Sequence, residues 1–557
     1  MRNRIDMGDN QWRELRDSLP LLTVVLLVHC LLSLYNRAVS PKDEPQVLRL
    51  DSGGKSSTSK AGKGQITTGN EDDTDGNGGG NNATILPPTA ICMGELGRRR
   101  AMFDLAVSAV FVVVIHGAHA IFPLSFVCGS YLLGHAVKGT RAAPFATWTM
   151  AVGMIWIKER LHGAMTFRNL LGDPFTNLDR FTGMYPWRLS FNLVVLRLVS
   201  FNLDLHWAWV GKAFGNPRKS TEVSSCHPSN SIYDYSMRVE AHRPPMDYSL
   251  MLCLGHAFYA PLYLAGPTIT FNAFVSQMAV PQKSYPVERL LIYLARLCLA
   301  LLLLEAGTHH LPVFALAHSQ LFRKLTPADL AGFVYVILKL MWLKFLVIWR
   351  FFRLWALCDG VEPPENMERC MSNNYSIANF WKGWHCRQVF NRWLVRYIYI
   401  PLGGSSPGHR WNVFVVFIFV ALWHDMEVKL VAWGLLNGLF FVVEAIVKGA
   451  YSTSHVLEGI RNKPHLNRVM RGLGAASHIM VLMMVNLIGY TVGINGTTLL
   501  VERMFLTPQG QTAVAISFAV LYTGSQVMFA VEEVRHAASR KVTIKGYNNL
   551  KTGKMAH

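Results

Sequence analysis

The sequence predicts an all-α protein that crosses a membrane many times, and three observations carry that prediction. Hydrophobic residues make up 51% of the 557 positions and charged residues only 16%, below the quarter or so usual in soluble domains. From about residue 101 onward, apolar runs follow one another to the C-terminus, many of them near the ~20 residues a helix needs to cross a bilayer. The 15 tryptophans and 30 phenylalanines suit interfacial belts and lipid-facing packing. The architecture expected is a polytopic helical bundle of about 10–12 transmembrane or re-entrant helices. No internal repeat is evident, which weakens a secondary-transporter reading.

Residues 1–37 hold a mixed-charge start and an apolar stretch from Leu19 to Tyr35. No small-residue cleavage site follows it, so it reads as a first span rather than a cleaved signal. Residues 38–100 change character. The piece from Gly53 to Asn82 is Gly, Ser, Lys and Asp with almost nothing to bury, so a disordered polar loop is expected. Its Asn82-Ala83-Thr84 triplet is a glycosylation acceptor sequence, which places the loop in the lumen. Residues 101–535 form the membrane domain, with apolar runs beginning near Met102, Ser125, Phe145, Leu189, Leu250, Leu290, Leu330, Trp411, Val428, Ala475 and Ala513. Residues 536–557 are a basic tail that the positive-inside rule puts in the cytosol.

The net charge of +19 comes from basic residues that flank apolar runs. Anionic headgroups, or the phosphates of a CoA-like donor, are better partners for it than nucleic acid, for which no recognition motif appears. Nine scattered cysteines form no CxxC pair and no zinc spacing, so no metal is expected. Cys358 and Cys370 are close enough in sequence to pair in a loop. No HExxH, EF-hand loop, P-loop or GxSxG elbow occurs in a suitable context, which argues against a metalloprotease, an ATP-driven pump and an α/β hydrolase.

Two histidines stand out. His424 lies in VFVVFIFVALWHDMEVKLVAWGLL, between strongly apolar runs. A polar side chain at membrane depth is costly unless paired or functional. A neutral imidazole there could take a proton from an attacking hydroxyl or could be structural. Asp425 follows directly, but helix neighbours do not face each other. His385 lies in NFWKGWHCRQVFNRWLVRYIYIPLGGSS, dense in aromatics and cations: Trp381, Lys382, Trp384, Arg387, Arg392, Trp393, Arg396, Tyr397 and Tyr399. Such a stretch reads as an interfacial amphipathic helix, or as cations holding a donor's phosphates beside a cavity-facing histidine. His116, His119, His256, His309 and His310 read as structural.

The string FWKGWHCRQVFNRWLVRYIYIPLGG, with ALWHD about forty residues on, resembles the signature of the membrane-bound O-acyltransferases (MBOAT). Tyr259 to Gln277, Asn177 to Trp187 and Gly360 to Cys370 resemble its glycerol-uptake-protein branch, a relative of Hedgehog acyltransferase. The resemblance covers most of the chain after Ala101; the polar insert departs from it. It implies an MBOAT-type bundle around a catalytic tunnel, with an acyl-CoA co-substrate, no bound cofactor and a multi-pass place in the endoplasmic reticulum membrane. It implies re-acylation of a lyso-GPI (glycosylphosphatidylinositol) or other lyso-lipid. The alternatives are a protein N-terminus as acceptor or, as the branch name suggests, glycerol transport. Residue by residue, His424 becomes the general base and His385 the group orienting the donor or its oxyanion. Arg387, Arg392, Arg396, Trp384 and Tyr397 become candidates for contact with the acyl-CoA head.

Overall fold

A computed structural model describes residues 6, 8–39, 46–50, 56–60, 93–161, 165–211, 235–367, 370, 374–378, 380–381, 389–404, 406, 411–424 and 426–551. Trp384, His385, Arg387, Asp425 and the Asn82 triplet lie outside these residues. Apart from a short antiparallel ribbon, Gln46–Leu50 against Ser56–Lys60, the described elements are helices. A lone pair of strands is marginal in water, and helices alone build the bundle.

Among the described residues, eight helical segments are long and apolar enough to cross a membrane. One of them, Glu95–Val137, holds two helices, Glu95–His116 and Ile121–Val137, joined by a 3-10 turn at Gly117–Ala120. Of the other expected runs, the one near Phe145 forms Ala143–Leu161, outside those eight, while those near Leu250 and Trp411 form Leu250–Phe258 and Asn412–His424, below the length that spans a bilayer alone; Phe271–Ala279 is a further half-length helix. The polytopic all-α class therefore stands, with part of the bundle made of half-length helices. The second helix starts at Glu95 rather than after the arginine triplet, and the last runs through the basic region as one helix, Pro508–Lys551.

Arg188–Val210 is the bundle's central helix, with most of its side chains buried, including Arg197, Ser200, Asn202 and Asp204. Polar groups at such depth must be paired, and here they hold the backbone of a broken helix. That unit runs through Leu250–Phe258, Ala260–Tyr263, a non-helical stretch and Phe271–Ala279. Non-helical backbone at membrane depth survives only where protein satisfies it. Arg197 donates to the carbonyls of Ala257 at 2.9 Å and Leu262. His256 Nε2 donates to Ile269 O at 2.8 Å. Ser108 and Ser200 hydroxyls accept the N–H of Ala260 and Phe271 at 3.0 and 2.8 Å. Ser249 and Thr270 cap the two half-helices; capping of this kind satisfies one of the orphan N–H groups at a helix start.

Asn412–His424 and Val428–Thr453 form a tight hairpin. Gly434 permits the crossing: a Cβ there would lie 2.7 Å from Ala421 Cβ and 3.0 Å from Phe417 O. Small residues at such contacts let membrane helices approach closely.

The expected Cys358–Cys370 pairing is corrected. Both thiols are free, and Cys370 Sγ lies 3.3 Å from Lys339 Nζ. Lys339 and Cys358 belong to one helix, Pro327–Cys358, so about 28 Å of helical rise separates their backbones. No disulfide bridges that span.

Candidate active site

His424 is the last residue of the Asn412–His424 helix and is half-buried. Its imidazole sits in an aromatic corner: ring centroids lie 4.7 Å from Trp423, 5.8 Å from Trp433 and 5.8 Å from Tyr490. Each wall is fixed by a hydrogen bond or a close contact. Trp433 Nε1 donates to Asn486 Oδ1 at 3.2 Å, and Gly489 lets the indole lie flat, since a Cβ there would be 2.8 Å away. Trp423 Nε1 donates to Asn192 O at 2.8 Å. Trp381 Nε1 donates to Asn437 Oδ1 at 3.3 Å, and its ring meets Phe417 edge-on at 4.8 Å.

These residues line a cavity of about 780 Å³, within the range of small-molecule sites. Its walls are mainly apolar and aromatic, including Leu193, Leu264, Leu338, Met341, Phe345 and Val420. Charged groups on its lining are paired: Lys158 with Glu159, Lys429 with Glu427 at 2.6 Å, and Lys344 with Asp9, itself off the lining, at 2.6 Å. Arg188, exposed, is a further cation on the lining. An apolar chamber with one imidazole among its described lining residues and charged groups beside it suits a ligand with a long hydrocarbon part and a polar, reactive end.

Of the residues the sequence singled out, the structure brings His424 to this cavity and leaves Arg392, Arg396 and Tyr397 off its lining. Arg392 is exposed. Arg396 is buried and pairs with Asp204 at 3.1 Å, and its guanidinium stacks 5.1 Å from the Trp207 ring. Tyr397 donates to the same carboxylate at 2.9 Å and stacks nearly parallel on Trp207. Arg396 and Tyr397 therefore serve an internal network, with the guanidinium charge countered and the phenol hydroxyl taken up by Asp204. They occupy a single π turn, Val395–Tyr399, which brings consecutive residues 396 and 397 to one carboxylate. His385, Trp384 and Arg387 lie outside the described residues; Trp381 and Phe390, which flank them in sequence, line the cavity.

Sequence reasoning missed Asn192, Trp433, Asn486 and Tyr490, which surround His424. Each sits in an otherwise apolar helix, and a polar residue in such a run was the signal available. It also missed a buried cluster between the first two helices and the end of Pro327–Cys358. His29, Asp104 and Asp359 are close enough to suggest a metal site. However, Trp355 Nε1 donates to His29 Nδ1 at 2.8 Å, so in the neutral ring Nε2 carries the proton and faces Asp104 as a donor. Arg100 lies among the carboxylates, 3.6 Å from Asp359 and 3.8 Å from Asp104. The donor set suits an ion-pair clamp on the first helix rather than a cation.

His116 and His119 are structural ties. His116 Nδ1 donates to Tyr185 O at 2.7 Å and its Nε2 accepts from Tyr263 at 2.9 Å. His119 faces Asp179 at 3.3 Å. Asp179 also accepts the N–H of Phe167 at 2.7 Å and of Arg168 at 3.0 Å. Partial desolvation pushes its carboxyl up, but these donors outweigh it and hold the group below the usual carboxylate range. A depressed carboxyl stabilises above its unfolded pKa, and the contribution is lost as pH falls through the folded value. Limited proteolysis between residues 161 and 188 is therefore expected to accelerate below about pH 4. Asp179→Asn is expected to show the fast rate already at neutral pH; an equal rate at both pH values in the parent would contradict the tie.

A family model described as MBOAT, membrane-bound O-acyltransferase family, matches residues 179–486. The chain is 36% identical over 430 residues to the membrane-bound O-acyltransferase gup1 of Schizosaccharomyces pombe, covering 77% of this chain and 72% of that protein. Identity is also 36% over 440 residues to the membrane-bound O-acyltransferase GUP1 of Saccharomyces cerevisiae, covering 78% and 76%. The protein-cysteine N-palmitoyltransferase HHAT of Mus musculus is 30% identical over 287 residues, half of this chain and 56% of that one.

Proposed function

Because the chain belongs to the membrane-bound O-acyltransferase family, we propose that it transfers a fatty acyl group from acyl-CoA to a lipid hydroxyl, with a lyso-GPI lipid as acceptor, in the endoplasmic reticulum membrane. The observation that supports this reading best is His424 at the wall of an apolar, aromatic cavity with a charged margin. The cavity walls exclude water and hold the hydrocarbon, which favours transfer over hydrolysis.

In the proposed mechanism, neutral His424 takes the proton of the acceptor hydroxyl as its oxygen attacks the thioester carbonyl carbon. The tetrahedral intermediate collapses, the C–S bond breaks, and the CoA thiolate leaves with the proton returned from the imidazolium. His385 is assigned to the developing oxyanion or the donor's orientation. Arg387 and Arg392 remain the candidates for the donor's phosphates. Arg396 and Tyr397, engaged with Asp204, are assigned to holding the fold instead.

The second reading, acylation of a protein N-terminus, is favoured by the likeness to mouse HHAT. Labelled acyl-CoA offered to the purified protein with lyso-GPI, with lyso-phosphatidylinositol or with a peptide bearing a free N-terminus separates the two. Label on a lyso-lipid is the expected result; label on the peptide alone would replace the first reading with the second.

The cavity's dimensions are testable as well. Gly489→Val places side-chain atoms against the Trp433 indole, which would lie only 2.8 Å from a Cβ at residue 489, and is expected to drive the ring towards His424. Misplacement of a reacting group by ~1 Å costs up to ~100-fold, so kcat should fall on the order of 10- to 100-fold while membrane expression is retained. An unchanged kcat would mean that the Trp433 wall plays no part in the reaction.

A further inference from the structure

The helix that carries His424 ends at that residue, and the carbonyls of a helix's last turn have no partner within it. In a membrane such groups must find protein donors. The donor is Asn192, on the central Arg188–Val210 helix. Its Nδ2 donates to Trp423 O at 2.5 Å and reaches His424 O at 3.4 Å. The tie is reciprocal, because Trp423 Nε1 donates back to Asn192 O at 2.8 Å. Both residues line the cavity. Asn192 Oδ1 is buried and has no hydrogen-bond partner among the described residues, so the amide is engaged through its donor side.

The central helix is itself held in place by Arg197, five residues further on, through the carbonyls of the broken helix. A chain of contacts thus runs from the broken helix through Arg197 and Asn192 to the backbone of His424. It ends on the backbone of His424 and so sets where the imidazole stands.

We propose that Asn192 is a positioning residue for the reaction, fixing the end of the Asn412–His424 helix so that the His424 imidazole is held at the reacting position. This rests on the reading of His424 as the base. A leucine of similar size at 192 would fill the space but offer no donor to either carbonyl. The end of the helix would then fray, and the imidazole would sample positions away from the acyl carbonyl.

Two measurements on the full-length protein test this. The first is the rate at which diethyl pyrocarbonate modifies His424, followed by mass spectrometry in the parent, Asn192→Leu and the isosteric Asn192→Asp. Loss of the tie should raise that rate about threefold or more in both variants, as local opening becomes easier; an unchanged rate in a folded variant overturns the proposal. The second is a double-mutant cycle with Trp423→Phe, which keeps a ring but removes the returning donor. Each single change should lower kcat, Asn192→Leu by about 10- to 100-fold, with the acyl-donor KM little altered. The double variant should be barely worse than Asn192→Leu, because both act through one contact. Strictly additive losses, or a loss confined to KM, overturn the proposal. Should the parent transfer no acyl group to any acceptor, the reading of His424 as base fails, and the modification rates still decide the positioning claim.

Discussion

His424→Ala is expected to lower kcat for acyl transfer by about 10²- to 10⁴-fold, the range over which a positioned general base contributes. The side chain is half-buried at a cavity wall, so its truncation enlarges a chamber rather than emptying a packed core. The walls stay fixed by bonds that do not use the imidazole: Trp423 to Asn192, Trp433 to Asn486 and Trp381 to Asn437. Thermal stability in detergent should therefore change little. Removing a group that acts only in the transition state lowers kcat and kcat/KM together, so KM for both substrates should hold. Kinetics of labelled acyl transfer, with melting temperature beside them, check this. Parent-like kcat in the variant would remove His424 from the mechanism.

The second large effect concerns Arg396 and separates two roles for one residue. Were it a ligand for CoA phosphates, Arg396→Met would raise the acyl-donor KM in a stable protein. The structure instead pairs Arg396 with buried Asp204 at 3.1 Å, beside Trp207 and Tyr397. Removing one partner of a buried pair leaves an uncompensated charge and costs ~3–5 kcal/mol. Arg396→Met should accordingly fold poorly, melt at much lower temperature and be partly restored by Asp204→Asn in the same chain. Arg392→Met, at an exposed position, should leave stability alone. A stable Arg396→Met protein with a weakened acyl-donor KM would return the residue to the donor site.

These two residues also show what the sequence could and could not reveal. His424 was legible because a titratable side chain within a long apolar run is unusual at membrane depth. The helices were legible for the related reason that apolar length is itself the signal. Arg396 was not, since its partner Asp204 lies 192 positions away, and an aromatic, cationic stretch looks the same whether its arginines meet phosphates or a buried carboxylate. Arg100 was hidden similarly: inside an arginine triplet it reads as a membrane-flanking charge, yet it is buried and donates to Gln277 O at 2.9 Å and Asp359 O at 2.5 Å. Asn192 and Arg197 serve backbone carbonyls of distant elements, and a sequence carries no mark of which carbonyls a broken helix leaves open. Half-length helices such as Leu250–Phe258 and Asn412–His424 were legible as apolar runs; their failure to span follows from breaks set by tertiary contacts.

The most direct test of the central claim is a structure of the purified protein bound to an acyl-CoA analogue whose thioester is replaced by a stable thioether. The account expects the acyl chain inside the cavity bounded by Trp381, Trp433 and Tyr490, with the carbon standing for the carbonyl about 3–4 Å from the space an attacking oxygen would share with His424. An analogue seated elsewhere, with the His424 cavity empty, would contradict it.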